Sequence, residues 1–278
     1  MDQGYSGTAA PKDTTMTQRE INLGFMSMRH AALPERCAAA ARAGFNGVSL
    51  RADQWRQLRD DGWDGPRIQA LLAEHGLRVS EIEPLRLMRD DLLKAVEEMV
   101  RAFGAPRVQV TPPLDGKPVV MDSAARWLRD VSARLPDTEL AIEFLPPTCV
   151  PDVAAAQRLI GMAGGAPNLG LCVDTWHVFR GDGLASLAGI DPQRVFMIQI
   201  NDGPLKPTVA DYIDDCIRFR VPCGEGEFDL SGFLRMLPLS VPVNVEVINT
   251  ELDKRDPAEV ARLLYGTTAA TLLRCGCR

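Results

Sequence analysis

The 278-residue chain has no apolar run approaching the roughly 18 residues that a membrane-spanning helix needs, which excludes a helical span on length alone. Its first twenty residues are polar and lack the apolar centre of a secretory signal. Residues 1–20 therefore read as a disordered leader, with Met16 a candidate start, ahead of one domain over 21–278. No GxGxxG or GxxxxGK[ST] turn follows any strand-like segment, which argues against a dinucleotide or nucleotide fold. The seven cysteines, Cys37, Cys149, Cys172, Cys216, Cys223, Cys275 and Cys277, contain no CxxC pair. That argues against a disulfide framework or structural zinc, and for reduced thiols in a cytoplasmic protein. Positive charge is also in deficit: 31 Lys and Arg against 37 Asp and Glu leave a net −6, no footing for nucleic acid or an anionic membrane surface.

What is present is alternation. Short apolar runs, "INLGFMS", "GVSLR", "LRVSEIEPL", "RVQVTP", "ELAIEFL", "LGLCVD", "VFMIQI" and "VPVNVEVI", read as strands. Between them lie segments of helical period, among them "LPERCAAAARAG", "RIQALLAEHG", "DDLLKAVEEMVRAFG", "SAARWLRDVSARL" and "DVAAAQRLIGMAG". Gly44, Gly76 and Gly104 stop three of the helices, as glycine does where a chain must turn left-handed. Strand and helix alternating eightfold over this length predicts a single α/β domain, a (β/α)8 TIM barrel. A doubly wound open sheet is the structural alternative.

In such a barrel the site lies at the C-terminal strand ends. Glu143 ends the fifth strand, Asp174 the sixth, Gln199 the seventh and Glu246 the eighth. Each stands two residues beyond Ala141, Cys172, Met197 or Asn244, so alternation lets all four point into the mouth. Three converging carboxylates would raise one another's pKa unless a divalent cation sat among them. One ion held by Glu143, Asp174, Gln199 and Glu246 is all-oxygen ligated, which favours Mg²⁺ or Mn²⁺, with Co²⁺ admissible, over tetrahedral Zn²⁺. Four such ligands leave two positions for a hydroxy-carbonyl substrate. A buried Gln199 among Val195, Phe196, Met197, Ile198 and Ile200 reads as a ligand for the same reason.

His177 follows Asp174 by three residues in what reads as a loop, and is a candidate for a catalytic or substrate-binding role. His30 after the first strand could reach the mouth, whereas His75 ahead of Gly76 is explained by a helix C-terminus. Arg220 in "FRVPCGEGEFDL" sits in a long loop on the same face, with a helix expected to begin near Asp229.

Taken in order, these residues resemble the xylose isomerase-like superfamily of TIM barrels, the sugar phosphate isomerase/epimerase group, from about Ile21 to Leu273. In that family a Glu on strand five, an Asp on strand six with a His three residues on, a His on strand seven and a Glu on strand eight form the site. Glu143, Asp174 with His177, and Glu246 match, as do Arg220 and "GEGEFDL". Gln199 departs, standing where ketose epimerases and inosose isomerases carry a metal-binding His. A Gln there is similar to the 3-dehydroshikimate dehydratase branch, which "DTWH", "IQINDGP", "RFRVPCGEGEFDL" and "VEVIN" also resemble. "EIEPLR" resembles that branch's third-strand segment, with Arg86 as a carboxylate binder, but "LRADQW" lacks its acidic pattern.

The resemblance implies a metal-dependent isomerase or epimerase of a sugar or cyclitol. Glu143 and Glu246 would remove and return a proton beside a carbonyl through a metal-stabilised enediolate. It implies substrate contacts from Arg220, Arg86 and His177. The rival is a lyase of the 3-dehydroshikimate dehydratase type, with His177 as base. Outside catalysis stands a barrel that only binds sugar or metal. The endonuclease branch is disfavoured by negative charge and by only three histidines. The expected partner is a small hydroxy-carbonyl molecule, with no nucleic acid and no membrane, and a homo-oligomer is left open.

Overall fold

A computed structural model describes residues 19–116 and 118–277. Eight parallel strands close in sequence order into a barrel, β1 (Ile21–Leu23), β2 (Gly47–Arg51), β3 (Arg78–Arg86), β4 (Arg107–Thr111), β5 (Glu139–Glu143), β6 (Leu169–Asp174), β7 (Val195–Ile200) and β8 (Val243–Val245). The helices are α1 (Leu33–Ala43), α2 (Trp55–Asp60), α3 (Gly65–Glu74), α4 (Asp90–Phe103), α5 (Met121–Arg134), α6 (Val153–Met162), α7 (Thr175–Arg180), α8 (Tyr212–Arg218), α9 (Leu230–Arg235) and α10 (Pro257–Arg274). The expected (β/α)8 barrel is thus the observed one, and the open sheet is excluded by the β1–β8 pairing of Asn22 with Asn244.

The helical period explains the shell. Leu92, Leu93, Val96 and Met99 of α4 are buried together, and Asp90 and Asp91 occupy its first turn, where the positive end of the helix favours them. Gly44 and Gly104 cap α1 and α4 with φ of 106° and 58°, the left-handed geometry expected of these stops. His75 is the C-cap residue of α3, and Asp229 caps α9, both as expected.

Inside the barrel the strands alternate. Leu23, Val48 and Val245 turn outward onto the helices, while Asn22, Gly47 and Asn244 pair across the inner face. Gly47 is needed there, because a Cβ would stand 2.9 Å from both Arg78 O and Asn22 Oδ1. β3 is bulged twice, between its pairings Val79 and Ile82 with β2, and between Ile82 and Leu85 with β4. These irregularities turn Glu81 and Glu83 into the interior, where they are 1% and 2% exposed.

Positions 1–18 of the expected leader lie outside the described residues, Met16 among them. Its last two residues belong to the barrel. Arg19 is buried and donates to Val241 O and Pro238 O, and Glu20 O accepts from Val243 N. All seven cysteines are free. Among the described residues, no helix is long and apolar enough to cross a membrane.

Candidate metal centre

β6 and β7 pair Asp174 directly with Gln199, so these two side chains leave the sheet at one level. β5 brings Glu143 alongside, and β8 delivers Glu246 one residue past its end, where Glu246 N still donates to Ile200 O. All four are buried, at 4%, 0%, 0% and 5% exposure for Glu143, Asp174, Gln199 and Glu246. Beneath them Ala141, Cys172 and Met197 pack against one another, as the two-residue spacing requires.

Asp174 uses its two oxygens differently. Oδ1 accepts from Trp176 N at 2.8 Å and Asn201 Nδ2 at 2.7 Å, and so caps α7. Oδ2 faces the site, 2.7 Å from Arg220 Nη1 and 3.5 Å from His177 Nε2. Burial opposes its charge, but Arg220, His177 and these donors together hold its carboxyl below the usual range.

His177 lies in α7, not in a loop. Two residues after the cap, it is carried back over the strand end by the helical turn. Its Nδ1 meets Tyr212 OH, and its Nε2 lies 3.0 Å from Glu143 Oε1. Burial pushes the Tyr212 hydroxyl up, so the phenol keeps its proton and can donate to Nδ1 or accept from it. With Tyr212 as donor, the ring hydrogen sits on Nε2 and faces Glu143. Gln109 Nε2 donates to the other Glu143 oxygen at 3.1 Å, so both oxygens are held in place.

Arg220 is the largest departure from expectation. The residue read as a loop charge is 1% exposed, and a single nitrogen, Nη1, bridges Asp174 Oδ2 and Glu246 Oε2, the latter at 2.9 Å. Burial pushes the Glu246 carboxyl well above the ordinary range against Arg220, and Asp174, Glu83 and Glu143 add to it. Arg220 is seated by the segment that follows it. Asp202 pairs with Val221, and its carboxylate accepts from Gly203 N, Gly224 N and Phe228 N. A Cβ on Gly226 would collide with that carboxylate, which is why "NDGP" and "GEGEFDL" occur together.

The remaining candidates lie apart from this cluster. Arg86 ends β3, half-buried, near Arg51, Asp53 and Arg89. His30 is exposed, 3.4 Å from Asp253. The sequence reading passed over Gln109, Tyr212, Glu81 and Glu83. Gln109 sits at an alternate strand position, the signal that singled out Glu143; Glu81 and Glu83 lie in the bulged β3, and Tyr212 lies 35 residues from His177 and carries no local signal.

The donor set suits a divalent ion. One atom each of Glu143, Asp174 and His177 lies within 4.8 Å of the others. Gln199 Oε1 accepts from the Cys172 thiol at 3.2 Å, whereas its buried Nε2 has no partner. Turning that amide over would present the carbonyl where Nε2 now stands and leave the NH₂ against sulfur, a weak acceptor. Burial, then the neighbouring acids, keep Cys172 a thiol. A cavity of about 190 Å³ lined by Phe144, Pro146, Asp152, Gly181 and Ser186 reaches His177.

A closed parallel barrel with acids and a histidine at its C-terminal mouth defines a class of TIM-barrel proteins with a candidate metal site. The chain belongs to the xylose isomerase-like TIM barrel family, whose profile matches residues 37–264. Solved structures agree on the fold. The IolI protein with a bound zinc atom superposes with a TM-score of 0.79 at 18% identity, covering 92% of this chain and 98% of its own. A xylose isomerase domain protein from Alicyclobacillus acidocaldarius gives 0.76 at 22% identity, over 92% and 99%. AsbF of Bacillus anthracis, a probable 3-DHS dehydratase, gives 0.71 at 13% identity, over 90% and 98%. No curated protein sequence matches the chain.

Proposed function

We propose that the protein is a divalent-metal-dependent isomerase or epimerase acting on a sugar or cyclitol with a hydroxyl next to a carbonyl. The observation that carries this reading is the meeting of Glu143, Asp174 and His177 within 4.8 Å at the barrel mouth, beside the unpartnered Gln199 amide. Glu143, Asp174, Gln199 and Glu246 would hold the ion. Arg220 now supplies the positive charge between two of these acids that a cation would share.

The chain's own groups suit proton transfer. Glu143, oriented by His177 and Gln109, is the base that takes the proton next to the carbonyl. Glu246, held by Arg220 at 2.9 Å, is the second carboxyl and returns the proton. Arg220, Arg86 and His177 would contact substrate oxygens. A bound divalent ion would add Lewis-acid polarisation of the carbonyl. The oxygen-rich donor set favours Mg²⁺ or Mn²⁺, with Co²⁺ admissible, and a family structure from Mycobacterium smegmatis is complexed with magnesium. A cytoplasmic location goes with the free thiols.

The second reading, a dehydratase of the 3-dehydroshikimate type, is favoured by His177 Nε2 standing among the acids. As base, His177 would carry its ring hydrogen on Nδ1, donating to Tyr212, and take the substrate's proton on a bare Nε2. The test is incubation with Mn²⁺ or Mg²⁺ in D₂O, against a ketose panel and 3-dehydroshikimate. Deuterium in a recovered sugar or its isomer is the expected result. An absorbing aromatic product from 3-dehydroshikimate would replace it with the lyase. Metal-replete protein that turns over neither would leave a binding barrel.

A further inference from the structure

On the β1–β2 side of the molecule, a cavity of about 350 Å³ lies between Phe25, Arg29 and the start of α1 on one side and Arg51, Gln54 and Trp63 on the other. Arg36, in the first turns of α1, lines it and is 3% exposed. Among the described residues Arg36 has no side-chain hydrogen bond and no ion pair, and its buried Nε is without a partner. The guanidinium lies over a ring, its carbon 4.5 Å from the Phe25 centroid, with that of Arg51 5.5 Å from the same centroid. Burial lowers its pKa to about 10, so it is still charged at neutral pH.

Of the charges around it, the two other arginines are already paired. Arg29 is paired with Asp253 at 2.6 Å, Arg51 is bonded to Asp53, and Asp61 on the cavity wall accepts from Gln57 Nε2 at 2.9 Å. Arg36 is left over. A buried charge without a partner is strongly unfavourable, and a cation–π contact offsets only part of that cost. The N-terminus of α1, which shares the cavity wall through Ala32, Leu33 and Pro34, has no side-chain cap. Glu35 in the first turn offsets part of the positive charge there, and the cavity side of this end carries no capping side chain.

We infer that this cavity is a binding site for a small oxyanion, the phosphate or carboxylate group of a small molecule, with the Arg36 guanidinium as its counter-charge and the α1 N-terminus as its second support. Its wall comes from the segment after β1, from β2, α1, α2 and their loops and contains none of the residues assigned above to the metal. It can therefore be tested without knowing the reaction.

The probes are inorganic phosphate and acetate, titrated against the full chain at constant ionic strength set with sodium chloride. Binding is followed by calorimetry and by thermal melting. Phosphate or acetate should raise the melting temperature of the parent beyond what chloride does. Whichever of the two binds more tightly identifies the anion class. Arg36→Met keeps the apolar stem against Phe25 and should lose affinity by about tenfold or more. Gln54→Glu adds a carboxylate from an exposed position on the cavity wall and should weaken binding several-fold, which keeps the test open if Arg36→Met does not fold. Equal anion responses in parent and Gln54→Glu, or in parent and Arg36→Met, would overturn the assignment. So would a parent that responds to neither anion.

Discussion

From β5 to β7 the inward positions below the mouth are Ala141, Cys172 and Met197, whereas from β8 round to β3 they include Asn244, Asn22, Ser80 and Glu81. On the first side, chemistry is confined to one level, with Glu143, Asp174 and Gln199 above an apolar floor. On the second, polarity runs down into the barrel. Asn244 Nδ2 donates to Glu81 Oε1 at 2.6 Å, while Glu83 is bonded to Ser49 and accepts from Phe25 N at 3.0 Å. An apolar floor gives the mouth groups nothing to turn towards except one another and the cavity. On the polar half burial works against the charge of its acids. Burial, then the proximity of Glu83, lifts Glu81 to about 8, and burial likewise raises Glu83.

The contrast can be broken most forcefully from the apolar side. Met197→Glu places an acid where no donor waits and should cost more than about 3 kcal/mol in urea unfolding. Glu81→Gln, on the other half, should stay within about 1 kcal/mol at pH 5, because the amide replaces a carboxyl that is already protonated. Equal costs would mean that the two halves are not chemically distinct.

Next in size is Gln199→Leu. The strand accepts the apolar side chain, so metal-free stability should change by no more than about 1 kcal/mol, whereas Mn²⁺ affinity should fall more than about tenfold. Gln199→His should retain a metal site and shift it toward Zn²⁺ or Ni²⁺. Thermal melts with and without Mn²⁺ decide the matter. A parent-like metal stabilisation in Gln199→Leu would remove Gln199 from the ligand set.

The pH profile sharpens the polar half. Glu81 binds its proton more tightly folded than unfolded, so its contribution is complete below the unfolded value near 4.5. It is lost as pH rises through about 8. Stability of the parent should therefore decline across that window, and Glu81→Gln should flatten the decline when unfolding is measured at intervals of pH.

The smallest effect is expected from Tyr212→Phe. It removes one hydrogen bond, worth about 1 kcal/mol, and with it the partner that fixes the His177 tautomer. Nitrogen chemical shifts of His177 should then lose their preference for hydrogen on one ring nitrogen. Retention of that preference would mean that Tyr212 does not set it.

The barrel was legible because its strands are short apolar runs between amphipathic helices, and "GVSLR" is β2 residue for residue. The four mouth residues were legible for the same reason, since a two-residue period carries direction as well as burial. What escaped depends on contacts the period does not encode. Glu81 and Glu83 look solvent-facing by composition, and it is the two bulges of β3 that turn both inward. Arg220 looked like a loop charge because its burial comes from Asp174, Glu246 and the Asp202 clamp, all distant in sequence. The short α7 and α8 have too few turns to display a period, so His177 was read as a loop residue.

Asp174 closes a strand, opens a helix and faces the site with the same carboxylate. The Trp176 amide is held by Oδ1, so its hydrogen can exchange with solvent only when α7 lets go of its cap. Release of that cap also frees the carboxylate that faces Arg220 and His177. The exchange rate of one backbone amide is therefore a clock for how often the mouth of the barrel comes apart.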